Sequence, residues 1–120
     1  MGWFRRSSPS EPFTPPTVQF LGEQDGVPEG QLKAAFNFVF AEHPNVQRAY
    51  LAQARYAISG PHNVPLCLVA NSHDDEALLR ELSDTFVRLF RSEVHMDLLF
   101  LSPDQEEALA RVCRPFYTAA

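Results

Sequence analysis

Apolar residues recur at every third or fourth position in three stretches of the chain, a spacing that places them on one face of a helix. Pro28 near the start of the first stretch favours helix initiation, and Pro44 forbids its continuation. The polar run from Asn71 to Glu76 offers a capping residue and acidic side chains to the first turn of the second expected helix. The expected helices are Gln31–His43, a second that ends near Arg91, and a third from Pro103 to just before Pro115.

Alternating or short continuous apolar runs separate these helices and predict four strands. The second run is alanine-rich, so a helix is the alternative there. Strand is favoured because Pro44-Asn45 precedes it, while a Gly-Pro turn sequence and a hairpin partner follow it. The expected strands are Thr17–Leu21, Val46–Ser59, Val64–Ala70 and Val94–Leu101.

The order strand, helix, strand, strand, helix, strand, helix predicts an α+β fold of the ferredoxin-like, split βαβ type. It has a four-stranded, mostly antiparallel sheet (βαββαβ), two crossover helices on one face and a further C-terminal helix. Its first and third strands are central, so Phe20 and Leu68 are expected in the most buried runs. Residues 1–16 are rich in proline and serine and predict a flexible leader before a single domain over residues 17–120.

Charge and composition narrow the classes of partner. The 120 residues carry a net charge of −5, and without the leader eight basic residues face fourteen acidic ones, which disfavours nucleic-acid binding. Stacking of RNA bases on Tyr50 and Tyr56 is kept as a minor alternative. No apolar run approaches the length of a membrane span, so no membrane insertion is expected. Cys67 and Cys113 form no metal or redox motif, which suits a cytoplasmic protein with buried thiols.

The ionisable residues indicate no catalytic or metal centre. The four histidines, at positions 43, 62, 73 and 95, have no ligand-pair spacing, so neither a metal nor a cofactor is expected. His95 and Asp97 share one face of a predicted strand, and Arg55 or Tyr56 from the hairpin could join them in acid–base chemistry. No nucleophile accompanies this polar pair. A salt bridge is therefore the favoured interpretation, and the chain is not expected to be an enzyme.

Phe38 is the most conspicuous candidate for an interaction surface. It lies about 200° around the first helix from Phe36 and therefore points away from the sheet. Ala34 and Ala41 flank it at helical spacing, and Val87 repeats the pattern more weakly on the second helix. Two interpretations stay open: this apolar patch receives a partner, or the leader covers it.

Three segments resemble a known family. The sequence HPNVQRAYLA at 43–52, PLCLV at 65–69 and RPFY at 114–117 are similar to the C-terminal domain of the bacterial enhanced serine sensitivity (SseB) proteins. The resemblance spans about residues 17 to 117. It implies a bacterial cytosolic protein associated with serine tolerance, and it brings no catalytic residues.

Two roles are expected from these observations. The first is a non-enzymatic interaction or regulatory module, which docks a protein partner or forms a homodimer. The alternative is a sensor that binds a small amino acid at a sheet or dimer interface, since sheets of this type bind small molecules there.

Overall fold

The computed structural model of the chain describes residues 4–7, 18–56, 62–90 and 96–119, with only the backbone for residues 4–7 and 62. Seven strands and three helices occur in these ranges. Their bounds are β1 Phe4–Ser7, β2 Gln19–Glu23, α1 Val27–Ala41, β3 Val46–Arg55, β4 His62–Asn63, β5 Leu66–Ala70, α2 Glu76–Leu89, β6 Met96–Phe100, α3 Pro103–Ala110 and β7 Tyr117–Thr118.

Each helix begins where its sequence provides a start signal. Pro28 lies in the first turn of α1. The Asp75 carboxylate caps α2 by accepting a hydrogen bond from the backbone N–H of Leu78 at 3.1 Å. In α3 the Ser102 hydroxyl and the Gln105 side chain each bond the other residue's backbone N–H, which forms a capping box. The three predicted helices are confirmed, and their ends differ from the expected ones by a few residues.

The ambiguous alanine-rich segment is a strand. β3 runs antiparallel to β5, with Ala49 opposite Leu68 and Leu51 opposite Leu66. It is buried on both faces, since Leu51 belongs to one apolar cluster and Tyr50 to the other, and its alanines fit between the layers. β4 continues the hairpin by pairing with the far end of β3.

The order of the strands is not the ferredoxin-like one. It reads β1-β6-β5-β3-β2, and β7 extends the β2 edge of β3. The first predicted strand, β2, thus lies at an edge instead of at the centre, and β5 pairs directly with β6. The reason is visible in β2: Gly22 and Glu23 suit an edge, whereas Phe20 is only half-buried. The sheet is mostly antiparallel, since the β1–β6 and β5–β6 pairings alone are parallel among the described strands.

Helices cover both faces of the sheet. α1 and α2 pack side by side on one face, as expected, and enclose the larger apolar cluster around Phe36, Phe40, Leu68 and Leu82. α3 covers the opposite face, where a second cluster forms. Its buried members are Tyr50, Ala52, Cys67, Leu99, Leu101, Leu109 and Cys113.

The predicted leader is described in part. Its residues 4–7 form β1 beside β6, and its other residues lie outside the described ranges, so the proposed boundary at residue 16 stays a prediction. None of the helices in the described part of the chain is long and apolar enough to traverse a lipid bilayer.

Candidate interaction surface and polar groove

The exposed face of α1 carries a large apolar side chain. Phe36 and Phe40 are fully buried under the sheet, whereas Phe38, on the other side of the helix, is 79% exposed. Ala34 and Ala41 are exposed on the same side. The geometry expected from the helical period is therefore present, and its use as an interaction surface stays a prediction.

A groove of about 460 Å³ runs between α1 and α2 beside Phe38. We call it the α1–α2 groove. Its lining residues are Ala35, Phe38, Val39, Glu42, Glu81, Asp84, Thr85 and Arg88. Three carboxylates and one guanidinium face the groove, so its electrostatic potential is negative. Val87, the fourth residue of the predicted surface, is 38% exposed on α2 but is not among these lining residues.

His43 fixes one of the carboxylates at this groove. Its Nε2 lies 3.0 Å from Glu81 Oε1, and its Nδ1 lies 3.7 Å from Asp75 Oδ2. The imidazole thus links the end of α1 to the first turns of α2. Within the described residues, Glu42 and Asp84 have no such partner, and their charges are directed to solvent.

The predicted polar pair is only partly described. His95 lies outside the described residues. Asp97 accepts a hydrogen bond from the Tyr56 hydroxyl at 2.7 Å, and Tyr56 packs against the second apolar cluster. Arg55, the other residue considered with the pair, instead donates to Gln19 at the β2 edge. Tyr56 therefore positions Asp97 on the face of the sheet that α3 covers.

A network that was not expected from the sequence joins α3 to the sheet. Arg48 Nη2 donates to Glu106 Oε1 at 2.9 Å, and Arg48 Nε donates to Glu106 Oε2. The Tyr50 hydroxyl also donates to Oε2, at 2.7 Å. Arg48 and Tyr50 stand on the same face of β3 because they are two residues apart. That spacing was the available signal, since two polar groups on a covered face require a partner.

The network changes the acidity of its members. The hydrogen bond from Arg48 lowers the pKa of Glu106, and the same bond raises the pKa of Arg48. Burial, and then the bond to Glu106, raises the pKa of Tyr50 to about 12. All three groups therefore keep their neutral-pH protonation states over a wide pH range.

A second groove, of about 480 Å³, lies beside this network. We call it the α3 groove. Its lining residues are Gln47, Arg48, Val69, Ala70, His73, Leu101, Ser102, Pro103 and Glu106. The His73 ring stacks on Phe100, with the ring centroids 4.4 Å apart and the planes 17° from parallel. Burial lowers the pKa of His73, which favours the neutral imidazole at neutral pH.

The two thiols are buried and poorly suited to nucleophilic chemistry. Burial raises the pKa of Cys67, and it raises the pKa of Cys113 to about 11. Both lie in the cluster under α3, with reduced sulfur atoms. Among the residues that the structure describes, no three potential metal ligands converge.

A comparison with protein families gives one match. The family model of the SseB protein C-terminal domain matches residues 21–119. This range includes both grooves and all helices, and it begins within β2. No curated protein and no solved structure matches the chain.

Proposed function

The chain belongs to the family of SseB protein C-terminal domains, and from this premise we propose that it is a non-enzymatic interaction module that docks a partner protein at the α1–α2 groove. The exposure of Phe38 carries the proposal. A phenyl ring that is 79% exposed beside a groove is suited to fill an apolar pocket of a partner protein. Transferring such a ring from water to an apolar contact is worth about 1.5–3 kcal/mol.

The charges around Phe38 select the partner. Glu42 and Asp84 are directed to solvent, so a docking segment with lysine or arginine beside an apolar side chain complements the groove. A second copy would bring the same carboxylates together. The acidic net charge of −5 adds to that repulsion, and we therefore propose a basic partner rather than a homodimer.

The absence of catalysis is part of the same proposal. The two thiols are buried and have raised pKa values, which removes them as nucleophiles. Asp97 accepts a hydrogen bond from the Tyr56 hydroxyl, which holds the carboxylate in place. Arg48 and Glu106 in the α3 groove shift each other's pKa through their mutual hydrogen bonds, as residues of structural networks do.

Photo-crosslinking tests the docking proposal. Phe38 is replaced by the photoreactive residue p-benzoylphenylalanine in living bacterial cells, and adducts are identified after irradiation. Val27 provides the matched control, because it is 78% exposed on the same helix but lies outside the groove. We expect position 38 to give a discrete adduct that position 27 does not give, and to lose it when Asp84 and Glu42 are changed to lysine.

Three outcomes distinguish the interpretations. An adduct with a basic protein that depends on the two carboxylates supports the proposal. An adduct between two copies of the chain would overturn the basic partner in favour of self-association. Sedimentation velocity then compares the oligomeric state of the wild type with that of Phe38→Asp. Equal labelling from positions 27 and 38 refutes a docking role for Phe38.

The physiological setting is proposed from the family. We place the module in the bacterial cytoplasm, with its docking contributing to tolerance of serine, as the resemblance to the enhanced serine sensitivity proteins implies. A strain that carries Phe38→Asp at the native locus is expected to grow more slowly than the Val27→Asp strain when serine is added. Equal growth of the two strains would show that the docking surface does not contribute to serine tolerance.

A further inference from the structure

Two neighbouring parallel strands end at the α3 groove. The chain leaves β5 towards α2 on one face of the sheet, and it leaves β6 towards α3 on the other face. When connections from adjacent parallel strands diverge to opposite faces, they open a crevice at the carboxyl ends of those strands, and ligands bind there in open α/β sheets. His73 follows β5 and Ser102 follows β6, and both line the groove.

Three residues that carry hydrogen-bond donors line this crevice. Arg48 uses Nε and Nη2 for Glu106, so the N–H groups of Nη1 lie outside that ion pair. The Ser102 hydroxyl accepts the bond that caps α3, and its own proton has no acceptor among the described residues. The neutral His73 ring carries one N–H donor, and the ring stacks on Phe100. Three donors at one groove are suited to a carboxylate.

An acceptor stands beside these donors. Within the described part of the chain, Glu106 Oε1 receives one hydrogen bond, from Arg48, and Glu106 lines the same groove. Its negative charge repels a simple anion, and the Arg48 charge repels a simple cation. A molecule with both charges satisfies both groups. Val69 and Leu101 supply an apolar wall for the remainder of such a molecule.

We propose that the α3 groove binds a small zwitterion of the α-amino-acid type. The carboxylate accepts hydrogen bonds from Arg48, His73 and Ser102, and the ammonium group donates to Glu106. The volume of about 480 Å³ is in the range of small-molecule sites. This site is separate from the α1–α2 groove, which lies on the opposite face of the sheet.

Calorimetric titration with three matched compounds tests the charge requirement. L-Alanine carries both groups, propionate carries the carboxylate alone, and ethylamine carries the ammonium alone. We expect L-alanine or L-serine to bind at millimolar concentration or below, and each single-charge compound to bind at least about tenfold more weakly. Equal binding of propionate refutes the zwitterion, and no heat or chemical-shift change with any amino acid refutes the site.

Variants then locate the binding. Arg48→Gln removes the donor, and Val69→Phe fills the groove while it leaves every polar group in place. Each is expected to weaken L-alanine binding at least about tenfold. Arg80→Gln, an exposed residue on α2, is the control and is expected to bind normally. If Arg48→Gln does not fold, Val69→Phe decides, and unchanged binding by that variant overturns the proposal. Crosslinking from Phe38 is measured independently, so the two proposals fail separately.

Discussion

At the scale of single residues, Glu106 holds α3 against the sheet. Its carboxylate receives hydrogen bonds from Arg48 and Tyr50, and 18% of its side chain is exposed. Hydrogen bonds to charged groups contribute more than neutral ones, about 1.5–3 kcal/mol each when a partner is removed. Exposed pairs such as Arg111–Glu107, with both side chains about three-quarters exposed, contribute much less.

Glu106→Gln should lower the free energy of unfolding by about 1–3 kcal/mol at neutral pH, because Arg48 loses its charged partner. Since the folded-state pKa of Glu106 is lowered, its contribution is present above the unfolded pKa of about 4.3 and disappears as pH falls through the folded value. The difference between wild type and variant should therefore vanish in acid. Urea unfolding across that pH range measures it, with Glu107→Gln as the control that should change little.

Tyr50 gives the opposite pH dependence. Its folded-state pKa is raised to about 12, so its contribution is fully present below the unfolded pKa of about 10 and is lost as pH rises through the folded value. Wild-type stability should decline above pH 10 more steeply than that of Tyr50→Phe. Parallel stability curves for the two proteins in alkali would contradict the raised pKa of Tyr50.

The local sequence pattern predicts the helices and strands, but it does not predict which strands lie next to each other in the sheet. The period of the apolar positions and the flanking prolines identified α1, β3 and β5, because those signals act within a few residues. The order of the sheet depends on which edges meet, and the polar residues of β2 gave the available indication of an edge. The exposure of Phe38 was predictable because the helical period places it opposite Phe36 on the same helix. The α3 groove was not, since Arg48 and Glu106 are far apart in sequence.

Asp75→Ala should destabilise α2. The carboxylate accepts the Leu78 N–H and lies near His43, and loss of an N-cap costs about 0.5–2 kcal/mol. Asp74→Ala removes an adjacent acidic side chain that is exposed and does not cap, so a change under about 0.5 kcal/mol is expected. Thermal and urea unfolding measure both. Equal losses would mean that general helix-dipole attraction, and not the cap, stabilises this end.

At the scale of the whole molecule, the sheet separates two apolar clusters that depend on each other through β3. Leu51 faces α1 and α2, whereas its neighbours Tyr50 and Ala52 face α3. The C-terminal segment closes the arrangement, because Tyr117 pairs with β3 and donates its hydroxyl to the Phe40 carbonyl at 3.2 Å. Displacement of one layer therefore disturbs the backbone that carries the other.

The two thiols report whether α3 opens alone or with the rest of the fold. Cys113 lies just beyond α3 and Cys67 lies on β5, and both have raised pKa values in the same cluster. If the layers open together, both thiols should react with a disulfide reagent at the same slow rate and with the steep urea dependence of global unfolding. Leu109→Ala, which removes a fully buried side chain of α3, should then accelerate both equally.

Faster labelling of Cys113 with a shallow urea dependence would instead make α3 a separate unit that detaches locally. The Arg48–Glu106 bond would then break without unfolding of β3, and a ligand in the α3 groove would slow Cys113 alone. Because the proposed ligand would contact both α3 and β3, joint protection of the two thiols by L-alanine is expected when the layers open together. The labelling experiment thus connects the stability of the whole fold to occupancy of the groove.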